Sequence, residues 1–240
     1  MNIHCVSAAQ IAPQAWKNSG GRTRELLAWP AAAEWTLRIS LAEIDADGPF
    51  SAFAGVTRWF AVVEGAGVAL AFDAAEGRAE GSDGVERRIA VADAPLRFDG
   101  AQAPHCRLLA GATRDLNLMA RDGDAAMRRA HSGVEWSEPF EWRGLFTRSA
   151  GRWSAGAESI RLAPLTLLWS DTVVDGTAWR FDADDAEGAD DGANAGDAAD
   201  VTHAADAAAR TDAADHRGRA SVCGWWLGFT PQASQRGSPR

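Results

Sequence analysis

Between residues 35 and 44 the chain alternates between apolar and polar positions. In WTLRISLAEI, Trp35, Leu37, Ile39 and Leu41 fall on one face of an extended strand, and Thr36, Arg38 and Ser40 fall on the other. A turn rich in Asp, Gly and Pro follows at 45–51 (DADGPFS). Residues 56–64 (VTRWFAVVE) are rich in β-branched and aromatic side chains. GAG interrupts them at 65–67 and VALAF resumes at 68–72, so 56–72 is predicted to be a hairpin. Further short strands are predicted near 86–91, 95–98, 105–110 and 115–121. The same texture restarts after residue 122, at 140–148, 159–170 and 177–182. The basic stretch 121–131 (RDGDAAMRRAH) reads as a solvated strand or a linker between two halves, 1–122 and 123–240. The closing apolar run SVCGWWLGF at 221–229 is expected to be a core strand paired with the strand that ends near Phe181. Many short strands with Gly, Pro and Asp turns predict an all-β sandwich or barrel. The absence of strand–helix alternation argues against a dinucleotide-binding fold.

Residues 182–220 break the pattern. They carry 11 Asp or Glu against three Arg, contain no aromatic residue, and have Val201 as their one branched aliphatic. Such a segment cannot bury enough apolar surface to offset its ordering entropy, so it is expected to be a disordered acidic insertion. The alternative reading of the segment is an acidic tail that docks a protein partner. The segment also changes the meaning of the net charge: it contributes −8 of the −9 carried by all 240 residues. The rest of the chain is near neutral and has no basic patch interleaved with aromatics, which disfavours nucleic acid as a partner. No run of about 20 apolar residues spans a membrane, and no secretory signal opens the chain. The three cysteines, Cys5, Cys106 and Cys223, are odd in number and far apart, so reduced thiols and a cytoplasmic location are expected.

The densest polar cluster is WKNSGGRTRE at 16–25, which holds the sole lysine, Lys17, together with Asn18, Arg22 and Arg24. Its glycines permit a tight turn whose backbone N–H groups could approach an anion, although no GK[ST] follows as in a P-loop. Trp16 beside it is either a lid over a ligand or a core residue. Arg38 and Ser40 share a strand face that meets either a polar cavity or bulk solvent. Arg58 lies on the same face as Phe60 and Val62. A charge there needs a partner, which could be Glu64, Asp115 or a bound carboxylate. Asp115, Asn117 and Met119 share one face of their strand and form either a hydrogen-bond network within the sheet or part of a site.

Metal and nucleophile chemistry lack support in the pattern. No two of His4, His105, His131, His203 and His216 stand at strand-mate spacing, so no metal site and no metal cofactor are expected. No GxSxG elbow occurs. His105 and Cys106 are adjacent and would point to opposite faces of a strand.

WKNSGGRTREL at 16–26 resembles the signature WKNGGGxTREI that opens HutD-family proteins, a group that includes the Ves proteins. WTLRIS at 35–40, GPFSAFAG at 48–55 followed by Arg58, RFDG at 97–100 and DLNLMAR at 115–121 resemble further family segments in the same order. Ser19, Ala54 and Ala101 depart from the family pattern. The resemblance covers roughly residues 10–122 and implies a double-barrel bicupin architecture. It also implies a link to histidine utilisation, with a small pathway carboxylate as ligand (formylglutamate or urocanate) and restraint of flux as role. Within the matched segments, Lys17, Arg24, Arg38 and Arg58 are the candidate charges for a carboxylate, and Asn18, Ser40, Ser51 and Asn117 the candidate hydrogen-bonding groups. Binding and regulation are favoured over catalysis, with no catalytic residue assigned. The rival readings are a metal-free enzyme using Glu25 or Asp115 as general base and a stress-linked interaction protein.

Overall fold

The computed structural model describes residues 1–73, 84–172, 176–184 and 221–232. Of the segment 182–220 expected to be disordered, 185–220 lies outside the described residues, whereas Asp182 and Ala183 end the strand Trp179–Ala183 and so correct the start of the insertion. In chain order the strands are β1 (His4–Ser7), β2 (Gln14–Ala15), β3 (Gly21–Trp29), β4 (Leu37–Ile44), β5 (Gly48–Pro49), β6 (Thr57–Glu64), β7 (Val68–Phe72), β8 (Val85–Ile89), β9 (Leu96–Asp99), β10 (His105–Leu108) and β11 (Thr113–Ala120). They continue as β12 (Gly123–His131), β13 (Glu135–Trp136), β14 (Trp142–Thr147), β15 (Gly151–Ala155), β16 (Glu158–Leu162), β17 (Thr166–Ser170), β18 (Trp179–Ala183) and β19 (Val222–Pro231). The architecture is all-β, as expected. Among the described residues no helix is long and apolar enough to cross a membrane.

Four sheets form two sandwiches. In the first half, the sheet β2-β3-β4-β11-β6-β9 packs on β5-β10-β7-β8 through a core that includes Ile44, Phe60, Val62, Val68, Leu70 and Cys106. In the second half, β1-β17-β14-β19-β12 packs on β13-β18-β15-β16, and the interior is filled by Trp136, Trp153, Trp179, Trp226 and Phe181. The two large sheets meet back to back. Leu37, Ile39, Leu41, Val63, Leu116 and Leu118 from one side bury against Met127, Phe146, Trp225, Leu227 and Phe229 from the other. Polar contacts cross the same seam: Trp59 Nε1 donates to the Ala125 carbonyl at 3.0 Å, and Arg148 Nε donates to the Val63 carbonyl at 3.1 Å. The amino-terminal strand β1 pairs with β17, so residues 4–7 belong to the sheet of the second half.

Several sequence-based expectations need correcting. The hairpin expected over 56–72 is a crossover, because β6 lies in the six-stranded sheet and β7 in the sheet facing it. Gly65 and Gly67, both at positive φ, turn the chain from one layer to the other, with backbone oxygens of Ala112 and Ile89 too close to admit a Cβ. The run 159–170 divides into β16 and β17 at Pro164, and Leu165 has a positive φ of 55°. Of the two readings of 121–131, a solvated strand or a linker, the strand holds over Gly123–His131, which pairs with β19, but Ala125, Ala126, Met127 and Ala130 are buried and not solvated. β19 itself pairs with β12 and β14, not with the strand ending near Phe181. Its side chains are apolar on both faces, and only a position inside a sheet covered on both sides buries Trp225 and Trp226 together. β18 lies opposite it, in the facing layer.

Candidate functional site

A cavity of about 700 Å³ opens inside the first half. Its wall follows from strand alternation. Leu37, Ile39 and Leu41 are committed to the central seam, which turns Arg38, Ser40, Ala42 and Ile44 of β4 inward. Leu116 and Leu118 do the same for Asn117 and Met119 of β11, and Ala61 and Val63 for Arg58 of β6. These strands are neighbours, with Ser40 in register opposite Asn117, and with Arg38 and Arg58 both opposite Met119. Segments 14–18 and 49–53 complete the wall, bringing Trp16, Lys17, Asn18, Phe50, Ser51 and Phe53. The polar face of 35–44 therefore meets a cavity and not bulk solvent.

Of the candidate residues, Lys17, Asn18, Arg38, Ser40, Ser51, Arg58 and Asn117 line this cavity. Arg24 does not. Thr23 of the same strand faces inward, so its neighbour Arg24 projects to the opposite side. There its Nε donates to Glu43 Oε1 at 3.0 Å and its terminal nitrogen donates to the carbonyls of Ile11 and Ala8. Glu43 also accepts from Arg22 Nε. Burial pushes the Glu43 carboxyl up, but the hydrogen bonds and charges of Arg22 and Arg24 outweigh burial and hold it below the usual range. Trp16 is placed between the two positions weighed from the sequence, at the cavity wall and on the edge of the core. It lines the cavity, packs against the first-half core, and donates from Nε1 to Thr23 Oγ1 at 2.7 Å. The aromatic wall of Phe50 and Phe53 was not singled out from sequence, although both lie in the GPFSAFAG segment that drew attention to Ser51.

Arg58 is the most constrained group in the cavity. It is only 4% exposed. One terminal nitrogen donates to Asn117 Oδ1 at 2.7 Å and the other reaches the Ser51 carbonyl at 3.4 Å. Its guanidinium carbon lies 5.0, 5.7 and 5.1 Å from the ring centroids of Phe50, Phe53 and Phe98. Its Nε has no hydrogen-bond partner among the described residues. No carboxylate there stands within 4.0 Å. Glu64 pairs with Arg114 at 3.0 Å, and Asp115 accepts from Thr113 Oγ1 at 2.7 Å. Burial, and then the charge of Arg38, lower the Arg58 pKa to about 10, so it stays protonated at neutral pH.

Arg38 has a counter-charge: its Nε lies 2.7 Å from Glu25 Oε2. The contact is ionic and not a hydrogen bond, because the Nε–H is not aimed at that oxygen. Glu25 is thus engaged with a cation, and Asp115, the other candidate general base, does not line the cavity. Asp115 is fully buried, in register with Ala42 and Val62, and burial pushes its carboxyl up to about 7 against the opposing hydrogen bond from Thr113. Cys106 is buried, and its thiol is pushed up to about 12, by burial first and then by Asp115 and Asp47. Its neighbour His105 is exposed, on the other face of β10. Among the described residues no group of three or more His, Cys, Asp or Glu is placed to hold a metal ion.

The family model for HutD matches residues 8–189. The chain belongs to the HutD family. An uncharacterised 21.2 kDa protein from the hutC 3′ region of Pseudomonas putida is 32% identical over 123 residues, which cover 50% of this chain and 57% of that protein. Protein Ves from Cronobacter sakazakii is 25% identical over 163 residues, covering 61% of this chain and 84% of Ves. Among solved structures, HutD from Pseudomonas fluorescens superposes with a TM-score of 0.66 at 20% identity, over 95% of this chain and 98% of that one. Oxalate decarboxylase from Bacillus subtilis superposes with a TM-score of 0.54 at 7% identity, over 95% and 77% respectively. These two likenesses identify the cupin-like fold. The HutD signature at 16–26 supplies the turn at the cavity mouth, and the segments around Arg38, Arg58 and Asn117 supply its floor.

Proposed function

We propose that this HutD-family chain binds a small carboxylate metabolite in the first-half cavity and serves histidine utilisation as a regulator or metabolite sink. The observation that carries this reading is Arg58: a buried guanidinium with no carboxylate within 4.0 Å among the described residues, in a cavity it shares with a second arginine. A buried unpaired cation is costly, and a bound anion is the natural way to offset that cost. A carboxylate on the guanidinium would form charge-assisted hydrogen bonds, with Asn117 and Ser40 offering neutral ones. Phe50, Phe53 and Met119 give the rest of the ligand an apolar wall. The tie to histidine utilisation rests on the family and on the relative from the hutC region. Formylglutamate and urocanate are therefore the ligands to try. Titration calorimetry of the purified chain with each, alongside chromatography of the same mixtures, tests the reading. The expected result is saturable binding with the ligand recovered unchanged. Turnover would replace binding with catalysis, and the absence of binding to either would overturn the proposal.

A further inference from the structure

Glu25 is the one acidic side chain of the described residues that touches an arginine of the cavity wall. It gets there by plain alternation, two residues along β3 from Thr23, which lines the cavity, and a bulge follows it. The register of β3 against β4 runs Glu25↔Ser40 and then Leu27↔Ile39, skipping a residue. That extra residue lets Leu26 and Leu27 both join the central seam. From the position opposite Ser40, Glu25 reaches diagonally to Arg38.

The charges of the cavity then sum in a specific way. Arg38 is neutralised by Glu25. Arg58 has no carboxylate partner among the described residues. Lys17 is exposed at the mouth and forms no ion pair among the described residues. The buried end therefore carries close to a single uncompensated positive charge. One carboxylate matches that charge, and the second carboxylate of a ligand such as formylglutamate would lie toward the exposed mouth and Lys17. A doubly charged oxyanion would leave one negative charge in excess close to the Glu25 carboxylate, which is 34% exposed, and like charges there repel.

We infer that Glu25 is a specificity-determining residue, which restricts the cavity to singly charged carboxylate groups and rejects doubly charged oxyanions such as sulfate. The inference rests on the reading of the cavity as an anion site. Glu25 acts through Arg38 and through its own charge, and it need not touch the ligand.

The test uses propionate and sulfate as probes at fixed ionic strength, with affinities from side-chain NMR titrations of the arginine Nε–H signals. Wild type should prefer propionate. Glu25→Gln, which keeps the shape and removes the charge, should raise the sulfate-to-propionate affinity ratio by about tenfold or more. Arg38→Gln should lower that ratio. The double variant Glu25→Gln with Arg38→Gln restores the original charge sum and should return the ratio to the wild-type value. A purely structural role for Glu25 would not produce that return. Glu25→Asp should leave the preference for propionate in place. A ratio unchanged in Glu25→Gln, with wild type still binding propionate, overturns the role given to Glu25 and leaves the cavity as an anion site. Failure of wild type to bind either probe overturns both.

Discussion

Arg58 donates to the side-chain oxygen of Asn117 at 2.7 Å, and that neutral amide is its shortest polar contact. Arginines buried to this degree are ordinarily matched by a carboxylate. Here the sheet supplies an amide, a backbone carbonyl and three aromatic rings, an environment that tolerates the cation without neutralising it.

The arrangement predicts a conflict between function and stability at this position. Arg58→Met should abolish carboxylate binding. It should leave the ligand-free protein as stable or more stable, by about 1–3 kcal/mol, because a flexible apolar side chain replaces a desolvated charge among Phe50, Phe53 and Phe98. Thermal melts with and without ligand check both halves. A large loss of stability would mean that the aromatic cage needs the cation.

Asn117→Asp would place a carboxylate where the amide now accepts from Arg58. The internal ion pair should compete with the ligand and weaken binding by at least tenfold, since about 1.4 kcal/mol corresponds to that factor and a charged hydrogen bond contributes about 1.5–3 kcal/mol. Titration calorimetry of the variant measures it.

Arg24→Ala serves as the counter-example. Arg24 lies outside the cavity and holds Glu43 and two carbonyls of the 8–11 segment. Its removal should cost about 1–3 kcal/mol of stability in a denaturant titration and leave ligand affinity unchanged.

How far these assignments were readable from sequence differs by residue. The alternation of WTLRIS gave the two faces of β4 directly. That the Arg38 and Ser40 face meets a cavity depends on the opposite sheet and on segment 49–53, which alternation within one strand does not encode. Arg24 was misplaced for the same reason as a register slip. It sits one position from Thr23, and successive side chains of a strand point to opposite faces. Glu25 shares the face of Thr23 by alternation, and its contact with Arg38 depends on the pairing of β3 with β4, which alternation within one strand does not encode. The GAG turn after β6 was legible as a reversal, but a reversal within a sheet and one between sheets look alike until the partners β9 and β11 are known. The two faces of β19 read as core, and its partners did not.

Asp115 supplies a prediction of pH dependence. Its carboxyl titrates at about 7 in the folded chain against 3.8 for the free side chain. Below pH 3.8 both states are protonated and no stability is lost. Between that value and pH 7 the unfolded chain releases the proton while the folded chain retains it. Stability should then fall by about 1.4 kcal/mol per pH unit from this group, and level off above pH 7. Asp115→Asn should remove that decline. Parallel denaturant titrations of wild type and variant from pH 4 to 8 isolate the contribution, which would be absent if the two curves ran parallel.

The most direct measurement is a side-by-side calorimetric titration of wild type and Arg58→Gln with formylglutamate and with urocanate. Saturable one-to-one binding of at least one of them to wild type, lost in Arg58→Gln while the variant keeps its fold by circular dichroism, is the predicted result. Binding that survives in Arg58→Gln undiminished, or no binding to wild type, would contradict the assignment of the cavity as a carboxylate site built on Arg58.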